Sequence, residues 1–325
     1  MNAPRSIFIT GAGGYLGTEL VQRLAVSHSR ARITAFDVQS IPEDRRVANV
    51  TYRVGDVRDE SLRNAMAEAT PDVVVHLASI VNPGGPEKRE FERSVDVGGT
   101  ENVLAACVQC QVRQLIVTSS GASYGYHADN PVPLRETDPL RGNPEFPYAD
   151  HKRLIEERLA EYRQSHPELK QLILRPGTVL GKRTDNQITR LFQGRAIIGV
   201  SGFDTPFVFI WDEDVVAIIM KGIEEERSGI FNLAGDGVVT LRDVARITGK
   251  SYLPIPVSIF RTYLWFMQKC GLSAHGPDQI VFLQYRPVLA NDRLKTEFGY
   301  IPRKSSREVF DYYWEHRQRR ADGQD

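Results

Sequence analysis

A chain of 325 residues, 41% hydrophobic and 25% charged, has enough apolar surface for one large α/β domain with a smaller appendage. Its 41 basic and 41 acidic residues cancel, which excludes a global pull toward nucleic acid or an anionic surface. Cys107, Cys110 and Cys270 are too few, and odd in number, for a disulfide framework, and they fit a reducing, cytoplasmic setting.

The start of the chain has no basic segment followed by an apolar one, so no signal peptide is expected. Residues 6–10 are a short apolar run that ends in glycines, and 15–25 follow at helical spacing. Residues 32–36 and 50–54 read as the second and third strands, with a helix near 60–69 after the latter. A fourth strand at 72–76, a helix at 97–110, a fifth strand at 114–118, a helix at 148–165 and a sixth strand at 171–174 continue the alternation. Continuous apolar strands between helices predict a parallel sheet covered on both faces, a doubly wound Rossmann-type α/β fold. Cys107 and Cys110 form a C-x-x-C on the third of these helices with no second ligand pair nearby, so a buried helix face is expected there. The loop 126–147 carries prolines at 131, 133, 139 and 144 before Pro147 and is long enough to be functional.

After Arg175-Pro176 the rhythm loosens. Segments near 186–199, 252–284 and 291–298 predict a smaller substrate-binding lobe interleaved with the last sheet elements. The expected division is a Rossmann domain over 1–180, with sheet elements returning near 205–235, and a lobe mainly over 181–325. The apolar stretch 257–272 is interrupted by Arg261 and Lys269 and is too short to span a bilayer. Ile259, Tyr263, Phe266, Met267 and Cys270 share one helical face there, which reads first as a lobe core or packing face. The functional alternatives are a lid over an apolar substrate or a helix resting on a membrane surface, and Trp265 on another face favours the latter. The basic run 316–320 reads as a solvated tail.

Between the first strand and helix stands Thr10-Gly11-Ala12-Gly13-Gly14-Tyr15-Leu16-Gly17. Gly11 permits a tight turn, Gly14 lets backbone approach a pyrophosphate, and Gly17 lets the helix pack close to the sheet. Free N–H groups from Tyr15 and Leu16 onward, and the positive end of the helix dipole, suit phosphates. Asp37 ends the second strand 20 residues after Gly17. A carboxylate there can accept from both adenosine ribose hydroxyls and would repel a 2′-phosphate, which favours NAD over NADP. Asp56-Val57 is placed to reach the adenine, although Asp56 reads equally well as a turn cap. Leu77 and Ala78, past the fourth strand, would line the dinucleotide groove, while His76 is expected to be packed rather than catalytic.

Tyr148-Ala149-Asp150-His151-Lys152 opens a helix and sets Tyr148 and Lys152 on one face. An ammonium beside a phenol favours the phenolate, so the phenol is expected to exchange a proton near neutral pH. Ser120 follows the fifth strand at the sheet edge where doubly wound folds place ligands, and its hydroxyl could hold a substrate oxygen.

With these motifs the chain resembles the extended short-chain dehydrogenase/reductase family, also called the NAD-dependent epimerase/dehydratase family. The resemblance covers essentially the whole chain. Beyond the motifs above it rests on the 99–104 helix, Ser119-Ser120-x-x-x-Tyr124-Gly125, Leu174-Arg175-Pro176, Asp214-Val215, 229–235 and 298–302. It implies Tyr148 as general acid/base, Lys152 as its tuner and ribose ligand, and Ser120 as the substrate-oxygen partner. Asp96 stands where many relatives carry Asn, which leaves its role open. The resemblance also implies a homodimer through the helices near 97–110 and 148–165.

The departures narrow the chemistry. Dehydratase members resemble one another in an acidic pair just after the Ser/Thr, and here Gly121 and Ala122 stand there, unable to protonate a leaving hydroxyl. Epimerases of nucleotide sugars resemble one another in an Asn and an Arg toward the diphosphate, where Thr178 and Phe207 stand in this chain. Tyr124, Thr178 and Phe207 are thus candidate substrate contacts, with Arg183, Arg190, Arg195 and Arg286 as further candidates for an anion. The expected function is hydride transfer at a secondary alcohol or ketone of a small-molecule substrate. The alternatives are a UDP-hexose epimerase and, from another class, a non-catalytic dinucleotide-sensing protein.

Overall fold

A computed structural model describes residues 4–82, 84–270 and 276–321. The first residues of the chain, read for a signal peptide, and the end of the 257–272 stretch lie outside the described residues.

Seven strands form one parallel sheet: β1 (Ser6–Thr10), β2 (Arg32–Asp37), β3 (Val50–Val54), β4 (Val73–His76), β5 (Gln114–Thr118), β6 (Lys170–Pro176) and β7 (Gly229–Leu233). Their spatial order is β7-β6-β5-β4-β1-β2-β3. Pairing is parallel throughout, as in Ile9 with Val75 and Thr10 with His76. Five helices cover the sheet: α1 (Tyr15–Ser27), α2 (Glu60–Ala69), α3 (Gly99–Gln109), α4 (Pro147–Ser165) and α5 (Asp212–Glu224). Alternate strand residues point to opposite faces. Ile7 and Ile9 therefore pack with Leu20 of α1 and Ile219 of α5, while Phe8 packs with Met66 of α2, Leu104 of α3 and Ile155 of α4. Burial on both faces is why the inner strands read as unbroken apolar runs, whereas the edge strand β3 has no fully buried residue. Cys107 is fully buried in that second core, and burial pushes its thiol pKa up.

The lobe has its own core, in which Phe192, Phe207, Phe209 and Phe310 meet edge-to-face or stacked. Its helices are α6 (Leu241–Thr248), α7 (Val257–Lys269) and α8 (Ser306–Ala321). Residues 196–200 pair in parallel with 251–255, and Phe207 pairs with Val239. Of residues 205–235, α5 and β7 return to the central sheet, and Leu294 and Phe298 later pack on it as well; residues 206–207 and 209–211 lie in short strands outside it.

The stretch read as a lobe core face takes the opposite orientation. Ile259, Tyr263 and Phe266 are 60%, 55% and 56% exposed, and Phe260 and Leu264 pack inward instead. The helix is apolar on both faces, so spacing alone could not select the one that turns in. No described helix is long and apolar enough to cross a membrane.

Candidate active site

Strand order reverses beside β1, and a cleft of about 1330 Å³ opens past the carboxyl ends of β1, β4, β5 and β6, between the sheet and the lobe. Pockets for a single ligand run to roughly 300–1,000 Å³, so this cleft has room for a dinucleotide and a second molecule.

At the β1–α1 end Gly11 and Gly17 are sterically required. Gly11 has φ +69°, and a Cβ there would sit 2.6 Å from the Ala78 nitrogen. A Cβ on Gly17 would meet the Gly11 carbonyl at 2.2 Å. Gly14 caps α1 with no side-chain hydrogen bond, and the first turn carries no acid, so the N–H groups from Tyr15 onward face the cleft uncancelled. The Tyr15 hydroxyl donates to Asp212 and is itself hydrogen-bonded to Thr184, tying the glycine loop to α5 and the lobe. Asp37 accepts from the backbone N–H of Gly13 at 2.9 Å and of Gln39 at 3.0 Å, and stays half-exposed. Gly13, a position the sequence motif left without a role, packs tightly against that side chain: a Cβ would lie 3.2 Å from the Asp37 carboxylate and press it aside. This cradle fits a dinucleotide whose ribose hydroxyls meet Asp37. Leu77 lines the cleft, and the Ala78 backbone closes against Gly11. Asp56 is a turn cap: Arg58 engages both of its oxygens, which holds its pKa down. Val57 is buried, its carbonyl taken by Asn102. His76 is packed between Thr10 and Thr100, and burial lowers its pKa to about 3.

Ser120, Tyr148 and Lys152 converge on the cleft. The Ser120 hydroxyl caps a short turn by accepting from Ala122 N–H, and its side chain acts on the Tyr148 phenol to lower the phenol's pKa. Lys152 donates to the Thr118 carbonyl at 3.1 Å, and its ammonium lies 5.7 Å from the Tyr148 ring centre. The expectation of a lowered phenol pKa is overturned. Burial raises Tyr148 to about 12, opposed by Ser120 and reinforced by Asp96. Lys152 spends its described hydrogen bond on the Thr118 carbonyl rather than on the phenol, and desolvation prevails. Burial also lowers the Lys152 pKa, and Asp96 and Glu156 pull against that.

Asp96 now has a place. It is buried, accepts from Ser79 Oγ and Ile80 N–H, and faces His151 Nδ1 at 3.2 Å. The sequence placed His151 beside Lys152 on α4, yet nothing in it paired that histidine with Asp96.

The substrate end is aromatic. Tyr126 packs edge-to-face with Phe146 and Phe282, both rings 5.0 Å away. Arg286 continues this wall, its guanidinium 4.3 Å from the Phe207 ring centre and 4.5 Å from that of Phe282. Its Nη2 donates to Thr178 at 3.3 Å, while Nε and Nη1 are buried without a hydrogen-bond partner. Burial pulls its pKa down to about 10. Thr178, Arg183 and Arg190 line the cleft as well. Two candidate substrate contacts are corrected. Phe207 is fully buried and supports Arg286 from beneath. Tyr124 is fully buried too, its hydroxyl bonded to Arg175 and Asn232 in a network that includes the Glu156–Arg175 ion pair. The aromatic wall was missed in the sequence because its members come from 126, 146 and 282, with no shared spacing.

The sequence model of the NAD dependent epimerase/dehydratase family matches residues 7–234. An uncharacterized protein of Mycobacterium tuberculosis is 24% identical over 318 residues, covering 96% of this chain and 84% of that one. The decarboxylating sterol-4-alpha-carboxylate 3-dehydrogenase of Saccharomyces cerevisiae is 28% identical over 216 residues, covering 63% and 60%. The crystal structure of Thermus thermophilus UDP-glucose 4-epimerase in complex with NAD superposes with a TM-score of 0.72 at 23% identity, over 96% of this chain and 98% of that one.

Proposed function

The chain belongs to the NAD dependent epimerase/dehydratase family, and on that premise we propose that it is an NAD-dependent dehydrogenase of a secondary alcohol on an apolar substrate that carries an acidic group. One observation carries the substrate half of this reading. The aromatic wall facing the catalytic trio ends in Arg286, a buried guanidinium with two unpartnered donors. A buried cation left so is costly, and an anionic oxygen is the partner that relieves it. The similarity to a sterol-4-alpha-carboxylate 3-dehydrogenase supports the same substrate class.

NAD, when bound, supplies the hydride acceptor. The chain's own groups manage the oxygen and its proton. Ser120 orients the substrate hydroxyl, Tyr148 takes its proton as the carbon–hydrogen bond breaks, and the same phenol returns the proton when a ketone is reduced. Lys152, fixed by the Thr118 carbonyl, holds positive charge beside that ring and is the residue suited to the nicotinamide ribose. A homodimer through the helices near 97–110 and 148–165 and a cytoplasmic location belong to this reading, the latter supported by the free Cys107, Cys110 and Cys270.

The runner-up is a nucleotide-sugar epimerase, favoured by the two further cations in the cleft, Arg183 and Arg190. The deciding measurement is NADH formation with excess NAD over sterol and other alicyclic hydroxy acids, neutral secondary alcohols and UDP-hexoses, with sugar products analysed in parallel. Stoichiometric NADH from a hydroxy acid is the expected result; UDP-hexose interconversion without net NADH makes the enzyme an epimerase. Tyr148→Phe is expected to lose roughly 10²- to 10⁴-fold in turnover while NAD still binds. Unchanged biological activity in that variant would point to the dinucleotide-sensing alternative.

A further inference from the structure

Helix α7 carries apolar side chains on both its inward and its outward face. Val257, Phe260 and Leu264 turn inward, with Phe260 and Leu264 lining the cleft, while Ile259, Tyr263, Trp265 and Phe266 face out at 60%, 55%, 51% and 56% exposure. A large apolar helix face is ordinarily buried against another element, yet no residue of this helix is fully buried. Leu253 and its register partner Ile198, on the two-stranded sheet that leads into the helix, add exposures of 50% and 46%. Scattered exposed hydrophobes need no explanation, but four large ones within eight positions form a patch that calls for a partner.

The chemistry of the patch selects that partner. Tyr and Trp are the side chains that settle at a lipid–water boundary, with the ring in the acyl region and the polar edge in the headgroups. Residues 251–270 contain no acid, and Arg261 and Lys269 are both exposed on the helix. Cations beside an apolar face complement an anionic lipid surface. The same pattern disfavours a second copy of this chain, because a two-fold contact would set these cations against their own counterparts with no carboxylate of the segment to pair them.

We propose that the outward face of α7 docks on the surface of an anionic bilayer, with the helix lying in the headgroup plane. Its inner face then meets the cleft, so an amphiphilic substrate passes from the lipid along Phe260 and Leu264 toward Arg286. That passage rests on the reading of an apolar, acidic substrate, whereas docking itself does not.

The test is co-sedimentation of the full chain with phosphatidylcholine vesicles, with and without phosphatidylglycerol. It is run on the wild type and on Trp265→Ser/Phe266→Ser and Arg261→Gln/Lys269→Gln, with thermal melting and NAD binding as checks of fold. The expected result is binding to the phosphatidylglycerol vesicles, weakened by salt and reduced about tenfold or more in each double variant. Three results overturn the proposal: no binding by the wild type, undiminished binding by the variants, or a dimer that dissociates in Trp265→Ser/Phe266→Ser, which would make a second copy the occupant. Vesicle binding is read without substrate, so failure of the dehydrogenase reading leaves this outcome unaffected.

Discussion

Tyr148 sits where desolvation dominates its proton affinity, and the sign of the pH dependence follows. Oxidation of an alcohol requires the phenolate, whereas reduction of a ketone requires the phenol. With the phenol held to about 12, oxidation is expected to rise with pH across the neutral and alkaline range while reduction stays flat. Asp96 contributes to that hold, and its carboxylate is fixed by Ser79, Ile80 and His151. Asp96→Asn removes the negative charge and lets the Tyr148 pKa fall, so the oxidation profile moves to lower pH. It also withdraws support from the buried Lys152, so activity at the alkaline end fails sooner. Profiles of kcat/KM for the two enzymes decide this, and coincident curves would mean that Asp96 serves the fold alone. Arg286 offers a second test. Hydrogen bonds to a charged group contribute about 1.5–3 kcal/mol, so Arg286→Met is expected to raise KM for acidic substrates about 10- to 100-fold, with kcat little changed. An equal loss with neutral alcohols would show instead that the side chain only supports the wall.

At the scale of elements, the strand–loop–helix unit over β1 and α1 shows why glycine pattern was readable in the sequence. Gly11 and Gly17 meet backbone, which no neighbour can vacate by changing rotamer: Gly11 meets Ala78, and Gly17 meets the Gly11 carbonyl. Gly11→Ala combines a left-handed φ, which costs about 1–2 kcal/mol for an L residue, with a Cβ at 2.6 Å from the Ala78 nitrogen. It is expected to lower the melting temperature and abolish NAD binding. Gly202→Ala carries similar backbone strain at φ +84° but meets nothing within 4 Å, so it should cost stability alone. Titration of both variants with NAD separates the two effects, and NAD binding by Gly11→Ala at wild-type affinity would remove the loop from the cofactor site. The convergence of Ser120, Tyr148 and Lys152 on one cleft was equally legible, since Tyr148 and Lys152 lie a helical turn apart and Ser120 follows a buried strand. What escaped depends on distant segments meeting. Tyr124 and Phe207 looked like substrate contacts until burial withdrew both, and the choice of inward face on α7 was set by the lobe core rather than by its own periodicity.

At the scale of the whole molecule, the sheet and the lobe both line the cleft, and a ligand that binds only the folded chain makes cofactor preference measurable as stability. A ligand that binds only the folded state at 100 times its Kd adds about 2.7 kcal/mol. Unfolding entropy of about 2.1 cal/mol/K per residue, over 325 residues, converts this into a rise of about 4 °C in melting temperature. NAD is expected to produce such a shift, because Asp37 stands beside the glycine loop with its carboxylate half-exposed and anchored only by backbone N–H groups. NADP at the same concentration is expected to shift it far less. Its 2′-phosphate would face that carboxylate, and no described ion pair or hydrogen bond brings a cation to Asp37 to compensate. Asp37→Ala should narrow the gap from both sides, weakening NAD by the loss of the ribose acceptors and admitting NADP by the loss of repulsion. A wild-type melt in which NADP matches or exceeds NAD would mean that the adenosine ribose lies away from the end of β2, and the cofactor assignment built on Asp37 would fall with it.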